Sequence, residues 1–278
     1  MPRLRHAFCL EGMVNMGKQH QRIVVKVGTS SLIYPNGQVN LRTIDRLAYT
    51  LATLNHQGYE MVLVSSGAIG VGLASLGLTK RPAEIAQQQA LAAIGQTELM
   101  RIYSQRFLDY QTKVGQILLT RDVLDYPVSR QHILNTIETL LSDAVVPIIN
   151  ENDPVSVDEL DHHTTFSDND ELSAQVATKI KADLLIVLSD IDAFYDRDPH
   201  KFTDAHPIRH VSEMTPELEQ AASGSSTQFG TGGMVTKLRA AATIMQANQH
   251  MVLCNGRDPK IIFQILDGNE EVGTRFGK

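Results

Sequence analysis

The chain has 278 residues, a formal net charge of −6 and a hydrophobic content of 42%, of which little is aromatic. This composition is typical of a globular protein with an aliphatic core, built as one large α/β domain or two small ones. The acidic balance argues against broad nucleic-acid binding. Cys9 and Cys254 are the only cysteines, so the sequence favours a reducing, cytoplasmic compartment over a disulfide framework.

The N-terminal segment, residues 1–20, does not match a secretory signal. It carries basic residues but neither a continuous apolar stretch nor a small-residue cleavage site. No part of the chain has the ~20 consecutive apolar residues of a membrane span, so no membrane partner is expected. We expect residues 1–20 to be a leader or a disordered tail, with Met16 as a candidate start, and residues 21–278 to form the folded domain.

Short apolar runs alternate with amphipathic segments along the rest of the chain. The apolar runs predict buried parallel strands at Ile23–Val27, Met61–Val64, Gly115–Leu119, Val145–Ile149, Leu184–Leu188 and Met251–Leu253. The segments between them predict helices at Thr43–His56, Ala83–Tyr110, Arg121–Ser142, Asp170–Ile180 and Gly233–Asn248. A turn at Tyr34–Gly37 predicts a small hairpin. The alternation indicates a mostly parallel sheet with helices on both faces, in one domain with two lobes.

Two glycine motifs match nucleotide-binding patterns only in part. Residues 12–18 have P-loop spacing, but Gln19 replaces the required hydroxyl and no strand precedes the motif. Gly70-Val71-Gly72 resembles the start of a dinucleotide fingerprint, but Ser75 replaces the third glycine and the acidic ribose ligand is missing. We expect Gly70 and Gly72 to allow close helix–sheet packing, which leaves a dehydrogenase as a poor alternative.

Two lysines at opposite ends of the chain lie beside glycine-bearing loops. Lys26 ends the first apolar run and precedes Gly28, and Lys237 closes a segment that starts at Gly230. Phosphoryl transfer needs positive charge around the phosphate oxygens, which two converging lysines would supply. The Gly232-Gly233 pair at a predicted helix start favours an anion site, with a flexible loop and a solvated lysine as the alternative.

Polar clusters follow several of the predicted strands. Asn150–Asp153 and Asp168–Asp170 would be costly to bury unless they face a ligand or a hydrogen-bond network, although the second cluster also suits a helix N-cap. Ser65–Ala68 and Ser189-Asp190 lie at carboxyl ends of strands, where open α/β sheets bind ligands. The spacing of Cys and His predicts no metal site, and we expect His162-His163 to be solvated loop residues.

Taken in their order along the chain, the motifs resemble those of the glutamate 5-kinases, a family within the amino acid kinase superfamily. The resemblance runs from about Arg22 to the C-terminus. It rests on five motifs, namely Lys26-Val27-Gly28-Thr29-Ser30, Ser65-Ser66-Gly67-Ala68-Ile69, Ile149-Asn150-Glu151-Asn152-Asp153, Asp168-Asn169-Asp170 and Thr231-Gly232-Gly233-Met234. It implies a three-layer αβα sandwich and ATP-dependent phosphorylation of the γ-carboxylate of L-glutamate, the first step of proline biosynthesis.

The resemblance also implies roles for individual residues. Lys26 and Lys237 would bind phosphate and stabilise the transferring group, and Asp170 would orient both lysines. Glutamate would be held by Ser66, Asp153 and Asn169. ATP, with Mg2+, would be held by Lys26, Ser189, Asp190, Thr231, Gly232, Gly233, Met234, Val235, Thr236 and Lys237.

Regulation and assembly follow from the same resemblance. Proline would act as a feedback inhibitor around the glutamate pocket and the loop Asp158–Asp168, where Ser167 stands in place of a frequent glycine. The family implies a homo-oligomer and a labile product that a glutamyl phosphate reductase could receive. The resemblance is to a short form of the family, which we expect to lack the additional PUA domain of many members. The alternatives are another amino acid kinase, such as an acetylglutamate kinase, and a catalytically silent amino-acid sensor, against which the two lysines argue.

Overall fold

The computed structural model describes residues 21–155, 168–199, 201–218 and 232–278. Its strands are β1 (Arg22–Val27), β2 (Glu60–Ser65), β3 (Val114–Leu119), β4 (Val146–Glu151), β5 (Leu184–Ser189), β6 (Phe194–Tyr195), β7 (Pro207–Ile208), β8 (His210–Val211), β9 (His250–Asn255) and β10 (Thr274–Phe276). Its helices are α1 (Thr29–Leu32), α2 (Leu41–His56), α3 (Ala68–Ser75), α4 (Ile85–Asp109), α5 (Arg121–Asp125), α6 (Pro127–Ser142), α7 (Asn169–Lys179), α8 (Gly232–Gln246) and α9 (Ile261–Leu266).

The main sheet has eight strands within the described residues, in the order β3-β4-β2-β1-β5-β9-β10-β8. Strand β1 pairs in parallel with both β2 and β5, whereas β10 runs antiparallel to β9. The chain moves from β1 to β2 on one side and returns as β5 on the other side. Because ligands of open parallel sheets bind at the carboxyl ends of the strands where the order reverses, this topology directs a site to the end of β1.

Helices cover both faces of the sheet. The alternating side chains of β1 divide between two buried clusters, with Val24 packed on the side of α6, α7 and α8, and Val25 on the side of α2, α4 and α9. The fold is therefore the three-layer αβα sandwich that was expected. Since side chains of a strand alternate between its faces, Lys26 lies on the same side as Val24, toward α7 and α8.

The predicted strands and the turn are confirmed, and the ends of the strands shift by at most two residues. Ile33 and Val39 form an antiparallel bridge around the predicted turn. The single helix predicted at Arg121–Ser142 is wrong, because it breaks at Tyr126 into α5 and α6. Tyr126 is extended, with ψ of 124°, because the following Pro127 disfavours the helical conformation in the residue before it.

Close packing of α3 against α4 explains the glycine motif that resembled a dinucleotide fingerprint. A Cβ on Gly72 would lie 2.1 Å from the carbonyl oxygen of Leu91, and one on Gly95 would lie 1.8 Å from that of Ala68. The expected helix–sheet packing is wrong for Gly72, because the backbone that approaches this glycine belongs to helix α4 and not to the sheet. No helix in the described part of the chain is long and apolar enough to cross a membrane.

Several predictions concern residues outside the described ranges. These are the leader 1–20 with its P-loop-like segment, the adjacent histidines 162 and 163, most of the proposed inhibitor loop, and Thr231.

Candidate active site

A single buried carboxylate joins the two lysines. Asp170 is 2% exposed, and its Oδ1 lies 2.6 Å from the Nζ of Lys26 while its Oδ2 lies 3.2 Å from the Nζ of Lys237. Thr236 donates its hydroxyl to the same Oδ2 at 3.0 Å. The lysines from opposite ends of the chain therefore meet at the carboxyl end of β1, together with the aspartate that was expected to orient them.

The charge of Asp170 is set by these neighbours. Burial raises the pKa of its carboxyl, but the ammonium groups of Lys26 and Lys237 outweigh that effect and hold the pKa below its ordinary value. Asp170 is consequently ionised at neutral pH. One negative charge then faces two positive charges, so the end of β1 keeps an excess of positive charge that suits an anionic ligand.

The local sequence explains why Asp170 points into the site. Asp168 is the N-cap of α7, and its side chain accepts hydrogen bonds from the backbone amides of Asp170 at 2.8 Å and Glu171 at 3.1 Å. The N-cap interpretation of this cluster is therefore confirmed, and the cap residue fixes the first turn that carries Asn169 and Asp170.

A cavity of about 570 Å³ opens beside this cluster. The residues that line it include Thr29, Ser66, Gly67, Arg81, Gln88, Asn150, Asp153 and Asn169. Asn169 donates through Nδ2 to the Oγ of Ser66 at 2.8 Å and to the Oδ1 of Asn150 at 3.1 Å. All three side chains predicted to hold the substrate, those of Ser66, Asp153 and Asn169, thus line one cavity, and Asn169 is the direct neighbour of Asp170.

Opposite charges lie in this cavity. Burial raises the pKa of the Asp153 carboxyl, and the guanidinium of Arg81 lowers it to a smaller extent, so the pKa remains above its ordinary value. Partial burial strengthens electrostatic contacts, and a carboxylate and a guanidinium in one cavity complement a zwitterion.

The residues predicted to bind nucleotide lie on the other side of β1. Ser189 ends β5 and donates its hydroxyl to the exposed Asp190 at 3.1 Å. Gly232 and Gly233 form the start of α8, where backbone amides are not paired within the helix. Val235 is half-buried, whereas Met234 packs into the core, so it would face a nucleotide only through its backbone. Within the described ranges, no three His, Cys, Asp or Glu side chains cluster to hold a metal.

Sequence reasoning missed two polar residues of this region, Arg81 and Gln96. Gln96 is 8% exposed and lies on the buried stripe of α4 with Ala92, Leu99 and Tyr103. A glutamine on an apolar stripe is a signal that could have identified it, because buried amides need partners. Arg81 lies in a loop before α4, where no periodic pattern marks it.

The fold and the lysine–aspartate cluster define a class of phosphate-transferring proteins. The profile of the amino acid kinase family matches residues 21–255, so the chain belongs to that family. Two solved structures share the fold, each covering 92% of this chain. The carbamate kinase of Giardia lamblia bound to AMP-PNP has a TM-score of 0.64 and 14% identity over 98% of its length. The isopentenyl phosphate kinase of T. acidophilum has a TM-score of 0.62 and 14% identity over 99% of its length.

Curated relatives are much more similar in sequence. The Glutamate 5-kinase of Lactiplantibacillus plantarum is 58% identical over 257 residues, which cover 92% of this chain and 97% of the relative. The Glutamate 5-kinase of Enterococcus faecalis is 53% identical over 266 residues, covering 96% of this chain and 98% of the relative. With family membership over nearly the whole chain, these relatives identify the chain as a phosphotransferase enzyme.

Proposed function

We propose that the chain transfers the γ-phosphate of ATP to the γ-carboxylate of L-glutamate, forming L-glutamyl 5-phosphate and ADP. The observation that carries the proposal is the pair of lysines held by the buried Asp170, directly beside a cavity with a carboxylate and amide lining. The relatives named Glutamate 5-kinase, at 53–58% identity, support the choice of acceptor.

The residue types agree with this reaction. A γ-carboxylate is already ionised at neutral pH, so the attack needs no general base. The barrier is the repulsion between the carboxylate and the phosphate oxygens. Lys26 and Lys237 would neutralise the charge that develops on the transferring group, with the two substrates held in line. Mg2+ would enter bound to the ATP phosphates, whose charge it partly neutralises.

The cavity would recognise the amino acid end of glutamate. The carboxylate of Asp153 and the amide oxygen of Asn169 are acceptors for the α-ammonium group. Arg81 adds positive charge that complements the α-carboxylate, and the Ser66 hydroxyl can donate a hydrogen bond to the same group. This orientation leaves the γ-carboxylate directed toward Lys26.

ATP would occupy the opposite side of β1. Its phosphates would bind the first-turn amides of α8, from Gly232 and Gly233, and the side chains of Thr236 and Lys237. Ser189 and Asp190 at the end of β5 would contact the remaining nucleotide, and Thr231 precedes the helix within the same segment.

Regulation and partners extend the proposal. Proline carries the same α-carboxylate and a secondary ammonium, so it can compete for Asp153 and Asn169 as a feedback inhibitor. Residues 21–278 would be one catalytic domain that assembles into a homo-oligomer in the cytoplasm. The acyl phosphate product is chemically labile, which favours direct transfer to a glutamyl phosphate reductase.

The test is hydroxamate formation from L-glutamate, ATP and Mg2+, with and without proline. The wild-type protein is compared with Lys237→Ala and with Lys113→Ala, an exposed lysine at the start of β3. We expect glutamate-dependent turnover that Lys237→Ala lowers at least ~10²-fold and Lys113→Ala leaves unchanged.

Other outcomes would replace the proposal. Turnover with acetylglutamate but not with glutamate would keep the phosphotransferase and change its substrate. Binding of an amino acid with no turnover of any acid would indicate a sensor.

A further inference from the structure

A row of hydrogen-bonded amides connects helix α4 with the cavity. Gln96 accepts a hydrogen bond through Oε1 from the Nδ2 of Asn150 at 2.9 Å. The Oδ1 of Asn150 in turn accepts from the Nδ2 of Asn169 at 3.1 Å. Gln96 and Asn150 are 8% and 3% exposed, so the start of this row is inside the protein and Gln96 is not part of the cavity lining.

The row determines which atom of Asn169 is free for a ligand. A primary amide has two N–H donors, and Asn169 uses its Nδ2 for both Ser66 and Asn150. Its Oδ1 is buried and has no hydrogen-bond partner within the described structure. A buried acceptor without a partner is unfavourable, so this oxygen is poised for a donor that a ligand supplies.

If the Asn150 amide had the opposite orientation, Asn169 would present its Nδ2 to the ligand instead of its Oδ1. If the Asn150 amide were rotated, its Nδ2 would face Asn169, which would then have to offer Oδ1 to Asn150. The Nδ2 hydrogens of Asn169 would remain for the ligand, and they repel an ammonium group. The Oε1 of Gln96 disfavours this arrangement because it accepts a hydrogen bond from the Nδ2 of Asn150.

We propose that Gln96 is a positioning residue for the ammonium group of the substrate. It acts through Asn150 and keeps the acceptor oxygen of Asn169 directed to the ligand. This inference rests on the proposed function, which supplies the amino acid substrate whose ammonium group binds there.

The packing of α3 against α4 fixes the positions of Ser66 and Gln96 relative to each other. Gly95 precedes Gln96 and allows α4 to contact the backbone of Ala68 and Gly72, where a Cβ would lie 1.8 Å and 2.4 Å from the respective atoms. Ser66, the other partner of Asn169, lies two residues before α3 begins. The helix pair therefore holds Ser66 and Gln96 at a fixed separation on either side of Asn169.

The experiment compares Gln96→Met, Gln96→Glu and Thr50→Val by steady-state kinetics. Methionine has nearly the shape of glutamine but lacks the amide acceptor, whereas glutamate keeps an acceptor oxygen. Thr50 is a fully buried hydroxyl on α2 that bonds the carbonyl of Arg46, so Thr50→Val controls for the loss of a buried hydrogen bond elsewhere. The KM values for glutamate and ATP are measured, together with the inhibition constant of glutarate, which lacks the ammonium group.

For Gln96→Met we expect the KM for glutamate to rise about tenfold, as for the loss of one charge-assisted hydrogen bond, with the KM for ATP within about twofold. The inhibition constant of glutarate should stay within about twofold. Gln96→Glu should raise the KM for glutamate less than Gln96→Met, and Thr50→Val should change neither KM.

An unchanged KM for glutamate in Gln96→Met would overturn the proposal. So would equal losses of affinity for glutamate and glutarate, which indicate general damage to the cavity. If Gln96→Met does not fold by circular dichroism, Gln96→Asn takes its place, because it withdraws the amide by one methylene and should raise the KM for glutamate in the same way. A wild-type protein that does not turn over glutamate would refute the proposed function instead.

Discussion

Asp170 shows how one residue can determine the character of a site. Its two carboxylate oxygens each hold a different ammonium group, at 2.6 Å and 3.2 Å, and its burial leaves little room for water. The lysines would otherwise repel each other, since they converge on the same strand end. The carboxylate makes their approach possible and still leaves one uncompensated positive charge for the phosphate oxygens.

Replacing Asp170 with Asn tests this role directly, because the shape is kept and the charge is lost. We expect kcat to fall by about 10²–10³, as for other preorganised electrostatic groups, since the lysines are no longer held at the transferring phosphate. The measurement is hydroxamate formation at saturating substrate. Asp183→Asn is the matched control, because Asp183 bonds the amide of Arg22 at the opposite end of β1. A kcat within threefold of wild type would contradict the role.

In the proposed binding mode, Arg81 sets the pH range over which the cavity binds an ammonium group. Asp153 must be ionised to do so, and its pKa is raised by burial while Arg81 lowers it. Arg81→Gln removes the lowering effect, so the pKa of Asp153 should rise further. We therefore expect the acidic limb of the pH profile of kcat/KM for glutamate to move to higher pH.

The charge-conserving variant Arg81→Lys is the control for this pH profile. It should leave the acidic limb close to that of wild type, because an ammonium group still acts on Asp153. An acidic limb that does not move in Arg81→Gln would show that Arg81 does not act on Asp153.

Among the helices and strands, the sequence predicts those that have a regular pattern of apolar residues. The six predicted strands are runs of apolar β-branched residues, and their bounds differ from the structure by at most two residues. The short helices α1, α3 and α9, and the strands β6, β7, β8 and β10, were not predicted. They are too short for a periodicity to develop, and tertiary contacts stabilise them.

The candidate site was predictable to a similar extent. Lys26 and Asp153 adjoin strand ends, whereas Asp170 lies at the start of a predicted helix, and the carboxyl ends of parallel strands meet at one edge of the sheet. Arg81 and Gln96 were missed because they reach the site from a loop and from the middle of a helix. Their positions depend on how α4 packs against α3, which spacing along the sequence does not reveal.

That packing can be tested with Gly95→Ala. The added methyl group would overlap the carbonyl oxygen of Ala68, at 1.8 Å, and the backbone nitrogen of Gly72, at 2.4 Å. The helices would have to separate, so we expect the free energy of unfolding to fall by about 1–3 kcal/mol or more. Urea denaturation measures it. Thr97→Ala, on the exposed side of the same helix, should stay within about 0.5 kcal/mol of wild type.

The whole molecule places two binding regions on either side of one strand. The cavity lies with β2 and β4 on one side of β1, and the start of α8 and the end of β5 lie on the other. Lys26 belongs to β1 itself, and α7 brings Asn169 to the cavity and Asp170 to the lysines. In the proposed function, the reversal of strand order would put acceptor and donor substrates next to each other, as phosphoryl transfer requires.

Ionisation of Asp170 and ionisation of Asp153 should have opposite effects on the free energy of unfolding of the whole molecule. The pKa of Asp170 is lowered in the folded state, so its ionisation stabilises the fold above its ordinary pKa of 3.8, and this contribution is lost only as pH falls below that value. The pKa of Asp153 is raised, so its ionisation destabilises the fold at neutral pH, and this cost disappears as pH falls through the raised pKa toward 3.8.

At pH 7 we therefore expect Asp170→Asn to lower the free energy of unfolding, by about 3 kcal/mol for a broken buried pair, and Asp153→Asn to raise it. As pH falls from 7 toward 3.8, the difference between Asp153→Asn and wild type should shrink, whereas the difference for Asp170→Asn should be lost only as pH falls below 3.8. Urea denaturation across this pH range distinguishes the two. Destabilisation by both substitutions at pH 7 would mean that partners stabilise the charge of Asp153. The ionised carboxylate in the cavity would then not lower the free energy of unfolding.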